Sequence, residues 1–405
     1  MAELHLLSPA GFRAGGVHAG LKKRKADVGL LVCDRLASAA AVFTTNRVFA
    51  APVKIGREHI AGGRLRGVVV NSGNANACTG KQGERDALRM CELAAEAIGC
   101  EAQQILPSST GIIGHLLPME KLERGIRAAG AALGSSLEHA HAFAEAILTT
   151  DLVRKTAATR LKIGRQTVTL AGVCKGSGMI GPRMALPAKG LHATMLAYLT
   201  TDAAISPALL RRLLAPAVDR SFNAVTVDDH TSTNDTAAIL ASGASGAKIN
   251  TPALARKFLA ALEDVCQSLA VQIARDGEGA TKVVKIHVTK AASDAAAQAI
   301  ARAIANSPLV KCAMHGNDPN WGRIVSAAGL AGVPFDPDKA VLTLQGTRVF
   351  QRGRPLAFDA AKVSKALDST DVSVELNCNL GRSEATVWTC DLSRQYITIN
   401  ADYHT

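Results

Sequence analysis

The chain has 405 residues, of which 48% are hydrophobic, 20% charged and only 3% aromatic, with a formal net charge of +12. A chain this long exceeds what one hydrophobic core usually serves, so two or three structural units are expected, and the composition excludes a disordered or fibrous protein. The basic residues are spread along the sequence, with "LKKRKAD" the only dense run, and scarce aromatics leave few platforms for stacking bases, which argues against nucleic acid as a partner.

A positive balance of this size favours small acidic metabolites or phosphate-bearing ligands. No apolar run reaches the roughly 18–20 residues that span a membrane. The opening "MAELHLLSPAGFRAGG" lacks a basic stretch followed by a sustained apolar one, so no secretory signal is expected. A cytoplasmic protein with no membrane partner is the expectation. The nine cysteines are scattered, with no C-x-x-C pair and no H-E-x-x-H. Buried reduced thiols and no metal site are therefore expected.

Taken in chain order, the sequence reads as mixed α/β structure. "QTVTLAGV" has the look of a strand, and Gly176, Gly178 and Gly181 behind it spell G-x-G-x-x-G. A dinucleotide-binding loop needs a helix directly after those glycines, and Pro187 and Gly190 interrupt one within about two turns. A nicotinamide-dependent oxidoreductase is therefore the weaker reading. Next, "HATMLAYLTTD" places Thr194 after the small residue Ala193. Ahead of an apolar helix, such a threonine suits an ordinary N-cap. Chemistry offers a second use. A hydroxyl is a poor nucleophile without a base, but a threonine that begins a chain carries its own, an α-amine of pKa roughly 7.7–8.0. Attack of the hydroxyl on the preceding carbonyl, followed by hydrolysis of the ester, would free that amine. Ala193 leaves the carbonyl accessible.

Further on, Thr251 is placed to cap a helix that has Pro252 at its first position. Leu254, Phe258, Leu262, Val265 and Leu269 recur along it at helical spacing, and Gly277 ends it. "KVVKIHVTK" alternates Val284, Ile286 and Val288 with Lys285 and His287, the pattern of a half-buried strand. "SDAAAQAIARAIANS" reads as another helix. The tail holds hairpin-like segments: "VLTLQGTRVFQRGRP", "VSVELNCNLGRSEATVWTCDLS" and "QYITINADY". A smaller C-terminal α/β subdomain is expected from about 282 to 405.

Longer motifs run through the whole chain in order: "FTTNRVFAAPV", "NSGNANACTG", "SSTGIIG", "TTD" at Thr149–Asp151, "CKGSGMIGP", "ATMLAYLTTDA", "TSTNDT", "DGEGATK", "NDPNWGRI" and the closing "NADYHT". Over nearly its full length the sequence resembles the bifunctional glutamate N-acetyltransferase/ornithine acetyltransferase family of arginine biosynthesis. The resemblance implies a layered α/β fold with mixed sheets, similar to the fold of ornithine acetyltransferases and DmpA-like aminopeptidases. It also implies a self-processing acyltransferase, cut between Ala193 and Thr194 into an α chain, 1–193, and a β chain, 194–405. An assembly of two α and two β chains goes with it.

Matched position by position, Thr194 corresponds to the nucleophile that takes acetyl from N-acetylornithine and passes it to glutamate. Thr110 and Gly111 match the oxyanion-hole pair. Thr149, Lys175, Thr194, Glu278, Asn400 and Thr405 fall where the family binds substrate. No bound cofactor is implied, and acetyl-CoA is a possible co-substrate that would let the enzyme acetylate glutamate afresh. Gly111→Ala is expected to leave the fold largely intact unless the backbone there needs positive φ. Two departures stand out. An insert at about Leu186–Ala193 lengthens the stretch between Lys175 and Thr194, just before the scissile bond, which admits an uncleaved binding or scaffold protein as an alternative. Asp229–His230 replaces a Gly-Asp pair favoured by the family.

Overall fold

The computed structural model describes residues 3–44, 46–181, 183–185, 195–230 and 232–402. Ala193, Thr194, the insert Leu186–Ala193 and Thr405 lie outside the described residues. The chain divides into two compact units, one of Met1–Asn223 with His230–Leu269 and one of Ala224–Asp229 with Ala270–His404. The second unit thus takes up the chain at Ala270, ahead of Lys282, and includes a short piece from well upstream.

The first unit is built on eight strands: β1 (Phe12–Val17), β2 (Val28–Phe43), β3 (Arg64–Asn74), β4 (Ile105–Ile112), β5 (Lys155–Ile163), β6 (Gln166–Lys175), β7 (Leu196–Thr201) and β8 (Thr236–Ala241). They form one sheet in the order β4-β3-β2-β8-β7-β6-β5, with β1 paired to β2. The β3–β4 and β7–β8 pairs are parallel and the others antiparallel, so the sheet is mixed. Its helices are α1 (Ala51–His59), α2 (Gly80–Ile98), α3 (Met119–Ala131), α4 (Leu137–Ala146), α5 (Pro207–Asp219) and α6 (Pro252–Arg275), the last of which runs on into the second unit. The pleat of β2 explains the layering. Val28, Leu30 and Val32 pack with Met90 and Cys91 of α2 and Ile126 of α3. Leu31 and Cys33 face the other way, into a cluster with Phe143 of α4 and Tyr198 of β7.

Helix α6 starts as its sequence predicts, with the Thr251 hydroxyl accepting from the Leu254 N–H at 3.3 Å. Two of the weaker alternatives fall around β6 and β7. The strand before the three glycines is present, but β7 returns antiparallel to it. No helix occurs among the described residues between them, so the parallel β-α-β crossover of a dinucleotide site is missing. The apolar segment after Thr194 is also no helix, which removes the N-cap reading. All six residues of β7 are buried. A short continuous apolar run suits a strand covered on both faces as well as it suits a helix, and periodicity alone does not separate the two.

The second unit carries β9 (Val283–Ala291), β10 (Val341–Leu344), β11 (Thr347–Gln351), β12 (Arg354–Pro355), β13 (Asp371–Asn377) and β14 (Ser383–Cys390), in the order β12-β11-β10-β13-β9-β14. Its helices are α7 (Asp294–Asn306), α8 (Pro308–His315), α9 (Trp321–Gly329), α10 (Ala360–Leu367) and α11 (Arg394–Asp402). Val284, Ile286 and Val288 of β9 are buried with Ile300 and Ile304 of α7, as the alternation predicts. The β10–β11 hairpin is formed.

β13 and β14, however, do not pair with each other. β9 lies between them, parallel to the first and antiparallel to the second, so an interior strand satisfies its backbone groups on both sides. "QYITINADY" is not a strand either: it forms most of α11. The helix propensities of its β-branched residues fall short of alanine's by only tenths of a kcal/mol each. At its start the Ser393 hydroxyl accepts from Gln395 N–H at 3.1 Å and donates to the Gly279 carbonyl at 2.6 Å. Among the described residues no helix is long and apolar enough to cross a membrane.

Candidate active site

The first unit gathers an unusual amount of polarity in its interior. Asn71 and Ser72 of β3, and Ser108, Ser109 and Thr110 of β4, are all at most 2% exposed. Most of these groups are bonded, as buried polar groups generally are. Ser109 Oγ donates to Asn71 Oδ1 at 2.6 Å, and Ser72 Oγ to the Ala146 carbonyl at 2.6 Å. Asn234, just before β8, donates its Nδ2 to the carbonyls of Ala75 and Ser109 at 2.6 and 2.8 Å. The Thr110 hydroxyl takes no partner among the described residues. Gly111 beside it has φ +130°, and a Cβ there would lie 2.4 Å from the Gly73 carbonyl carbon and 2.6 Å from Asn74 N. Close approach of β3 makes glycine necessary here.

Lys175 ends β6 and sits in register with Leu196 of β7, one residue on from Met195 and two from Thr194. Its Nζ is 3.9 Å from Asp151, a fully buried carboxylate. Asp151 also accepts from Lys155 Nζ at 2.7 Å, from Gly176 N–H at 2.6 Å and from Thr149 N–H at 3.0 Å. Burial alone would raise the Asp151 pKa, but Lys175, Lys155 and the Gly176 amide outweigh it and hold the group well below the usual carboxylate range. Thr149 and Lys175 are thus tied to one anion.

Lys22 belongs to the same electrostatic group. The Asp27 carboxylate gathers the N–H groups of Ala19, Gly20, Leu21 and Lys22 at 2.6–3.1 Å, and this turn sends Lys22 Nζ to the Leu148 carbonyl at 2.9 Å. Burial, opposed by Asp27 and Asp151 and aided by Lys25 and Lys175, lowers its pKa to about 8. Lys22, Lys155 and Lys175 face Asp151 and Asp27, three positive groups against two negative ones, and that excess suits a carboxylate ligand.

Glu278 and Asn400 lie in the second unit and are bonded to each other, Asn400 Nδ2 donating to Glu278 Oε2 at 2.9 Å. Gly279, at φ +70°, makes room for this: a Cβ there would be 2.5 Å from Tyr396 N, so its absence admits the start of α11. Asp229 has φ +56°. Glycine adopts this left-handed region without strain and Asp is among the few other residues that tolerate it, which gives a physical reason for the family's glycine there.

Residues 13–405 match the ArgJ family. The chain belongs to the ArgJ family. The arginine biosynthesis bifunctional protein ArgJ of Symbiobacterium thermophilum is 47% identical over 403 residues, covering 98% of each chain. The protein of that name from Bacillus cereus is 43% identical over 403 residues, covering 99% of this chain and 97% of its own. The crystal structure of ArgJ from Bacillus halodurans is 46% identical, with a TM-score of 0.44, over 45% of this chain and 95% of that one.

Two acids that the sequence reading passed over are buried within reach of the Lys175 charge. Asp151 closes the "TTD" motif and Asp235 sits in "TSTNDT", where the signal was one acid among hydroxyl and amide side chains. Asp235 is completely buried, and neither carboxyl oxygen has a hydrogen-bond partner among the described residues. Burial pushes its pKa well above the ordinary value, against a weaker pull from the Met195 amide and Lys175. Asn234 beside it binds the Ser109 carbonyl, so Asn234–Asp235 links the Thr110 end of β4 to the Lys175 end of β6.

Proposed function

We propose that the chain transfers acetyl from N-acetylornithine to glutamate, giving ornithine and N-acetylglutamate, through an ester on Thr194. Membership of the ArgJ family across residues 13–405 carries this reading. The chain is cut between Ala193 and Thr194, and the new α-amine takes the proton of the Thr194 hydroxyl as its oxygen attacks the acetyl carbonyl. Thr110 Oγ1 and the Gly111 N–H donate to the oxyanion, each typically worth about 3–4 kcal/mol. Collapse expels ornithine, whose amine takes the proton back. The amine of glutamate then attacks the ester and reverses the sequence.

Lys175 holds the α-carboxylate that N-acetylornithine and glutamate share, which lets one site serve both halves of the reaction. The positive surplus around Asp151 supports that role. Thr149, Glu278, Asn400 and Thr405 complete substrate binding, Glu278 orienting an amine. Acetyl-CoA is a second donor rather than a bound cofactor. The processed chains act in the cytoplasm as a tetramer of two α and two β chains, without nucleic acid or membrane.

Thr194→Ala tests the reading, because it removes the nucleophile and its base together. On a denaturing gel the parent gives fragments of 193 and, by 405 − 193, 212 residues. The variant is expected to run as one band and to transfer no acetyl above background. A variant still cleaved after Ala193 would show the self-processing chemistry to be wrong, and an intact parent would favour a scaffold.

A further inference from the structure

Asp235 has no task in the reaction above, yet its burial is costly. A carboxyl with both oxygens inside the protein and no hydrogen-bond partner for either among the described residues calls for an explanation. Its place is fixed by register. Thr236 pairs with Leu196 across β8 and β7, and Thr236 N–H donates to the Met195 carbonyl at 3.0 Å. On its other side the Asp235 carbonyl accepts from Thr44 N–H at 2.8 Å. One residue back along both strands, Asp235 therefore stands beside Met195, which is itself fully buried. Only three covalent bonds separate Met195 N from the nitrogen of Thr194.

We propose that Asp235 is the positioning residue of the N-terminal threonine, its carboxylate becoming the counter-charge of the α-ammonium group that cleavage creates. This rests on Thr194 being released as the nucleophile. In the intact chain that nitrogen is an uncharged amide, which leaves the acid without an ionic partner and favours its neutral form. Attack by the Thr194 hydroxyl breaks the Ala193–Thr194 C–N bond, forms an ester, and passes the hydroxyl proton to the leaving nitrogen. The product is a neutral primary amine. Asp235 then gives its own proton to that amine, leaving carboxylate and ammonium side by side, and water hydrolyses the ester. The other charge acting on the carboxyl is Lys175 from β6, itself facing Asp151.

A carboxylate at such range raises the pKa of an amine by about 1–3 units. Asp235→Asn removes the charge and keeps the shape. In the processed variant, the acid limb of log kcat against pH for acetyl transfer is expected to move down by about one unit or more. A purely structural side chain would leave that limb in place. Melting temperatures give a second readout. Asp235→Asn should lower that of the processed enzyme and leave unchanged or raise that of uncleaved Thr194→Ala, where the acid has no partner. An unmoved acid limb, a variant that folds but stays uncleaved, or a loss of stability equal in both backgrounds would each overturn the proposal. Failure of the parent to cleave would instead sink the reading beneath it.

Discussion

At Gly111 the structure turns a conditional expectation into a definite one. Tolerance of Gly111→Ala depended on the backbone staying out of positive φ, and it lies at +130° with the β3 backbone 2.4 Å from any added Cβ. Strain of this kind costs about 1–3 kcal/mol before the clash is counted. Gly111→Ala is therefore expected to lower the melting temperature by several degrees and to cut kcat by about 100-fold or more, since the Gly111 N–H moves with β4. Calorimetry beside an acetyl-transfer assay would check both, and a parental melting temperature would show that residues 110–112 can shift without loss. The acids show the limit of reading residues singly. Asp151 and Asp235 were in view within their motifs, but their meaning depends on partners fixed by sheet register: Lys175 is 24 positions from the first, by 175 − 151, and Met195 is 40 from the second, by 235 − 195.

At the level of elements, what the sequence made legible was whatever had local cause. The Thr251–Pro252 start of α6, the alternation of β9 and the β10–β11 hairpin each follow from a cap, a period or a turn. β7 and α11 were missed because their identity is set by what lies around them, a strand on each side of β7 and Gly279 under α11. The insert can now be judged by reach. Ala185 exchanges backbone hydrogen bonds with Phe43 at 3.1 and 3.3 Å, Phe43 pairs with Thr236, and Thr236 with Leu196. Ala185 and Leu196 are thus three strand spacings apart, about 14 Å. Deleting Leu186–Ala193 would leave three peptide links between them, a reach of at most about 11 Å. The deletion must pull Ala185 away from Phe43, losing two hydrogen bonds worth about 0.5–1.5 kcal/mol each. The variant is expected to be processed, because the rest of β7 is untouched, but to melt several degrees below the parent. An unchanged melting temperature would mean that the added length is not what lets Ala185 pair with Phe43.

Across the whole molecule, the motifs divide between scaffold and chemistry. Lys282 of "DGEGATK" donates to the Met314 and Leu367 carbonyls and to Asn317 Oδ1 of "NDPNWGRI", so that part of both motifs holds the second unit together. In the first unit "SSTGIIG", "TTD" and "CKGSGMIGP" carry Thr110, Gly111, Thr149 and Lys175. What acts on a substrate before contact is the sum of charges, and at +12 that sum attracts anions. The two substrates differ in this respect. Glutamate carries one net negative charge at neutral pH, whereas in N-acetylornithine the carboxylate and the side-chain ammonium cancel. Attraction that reaches beyond contact is screened as the Debye length shrinks from about 10 Å at 0.1 M salt to about 3 Å at 1 M. Raising sodium chloride across that range is therefore expected to lower kcat/KM for glutamate several-fold and to change that for N-acetylornithine little. Acetyl-CoA, the proposed second donor, carries phosphates and should show the steepest decline of the three. Equal salt slopes for all three would show that the positive charge acts only through direct contacts such as Lys175, and that its spread over the rest of the chain does nothing for capture.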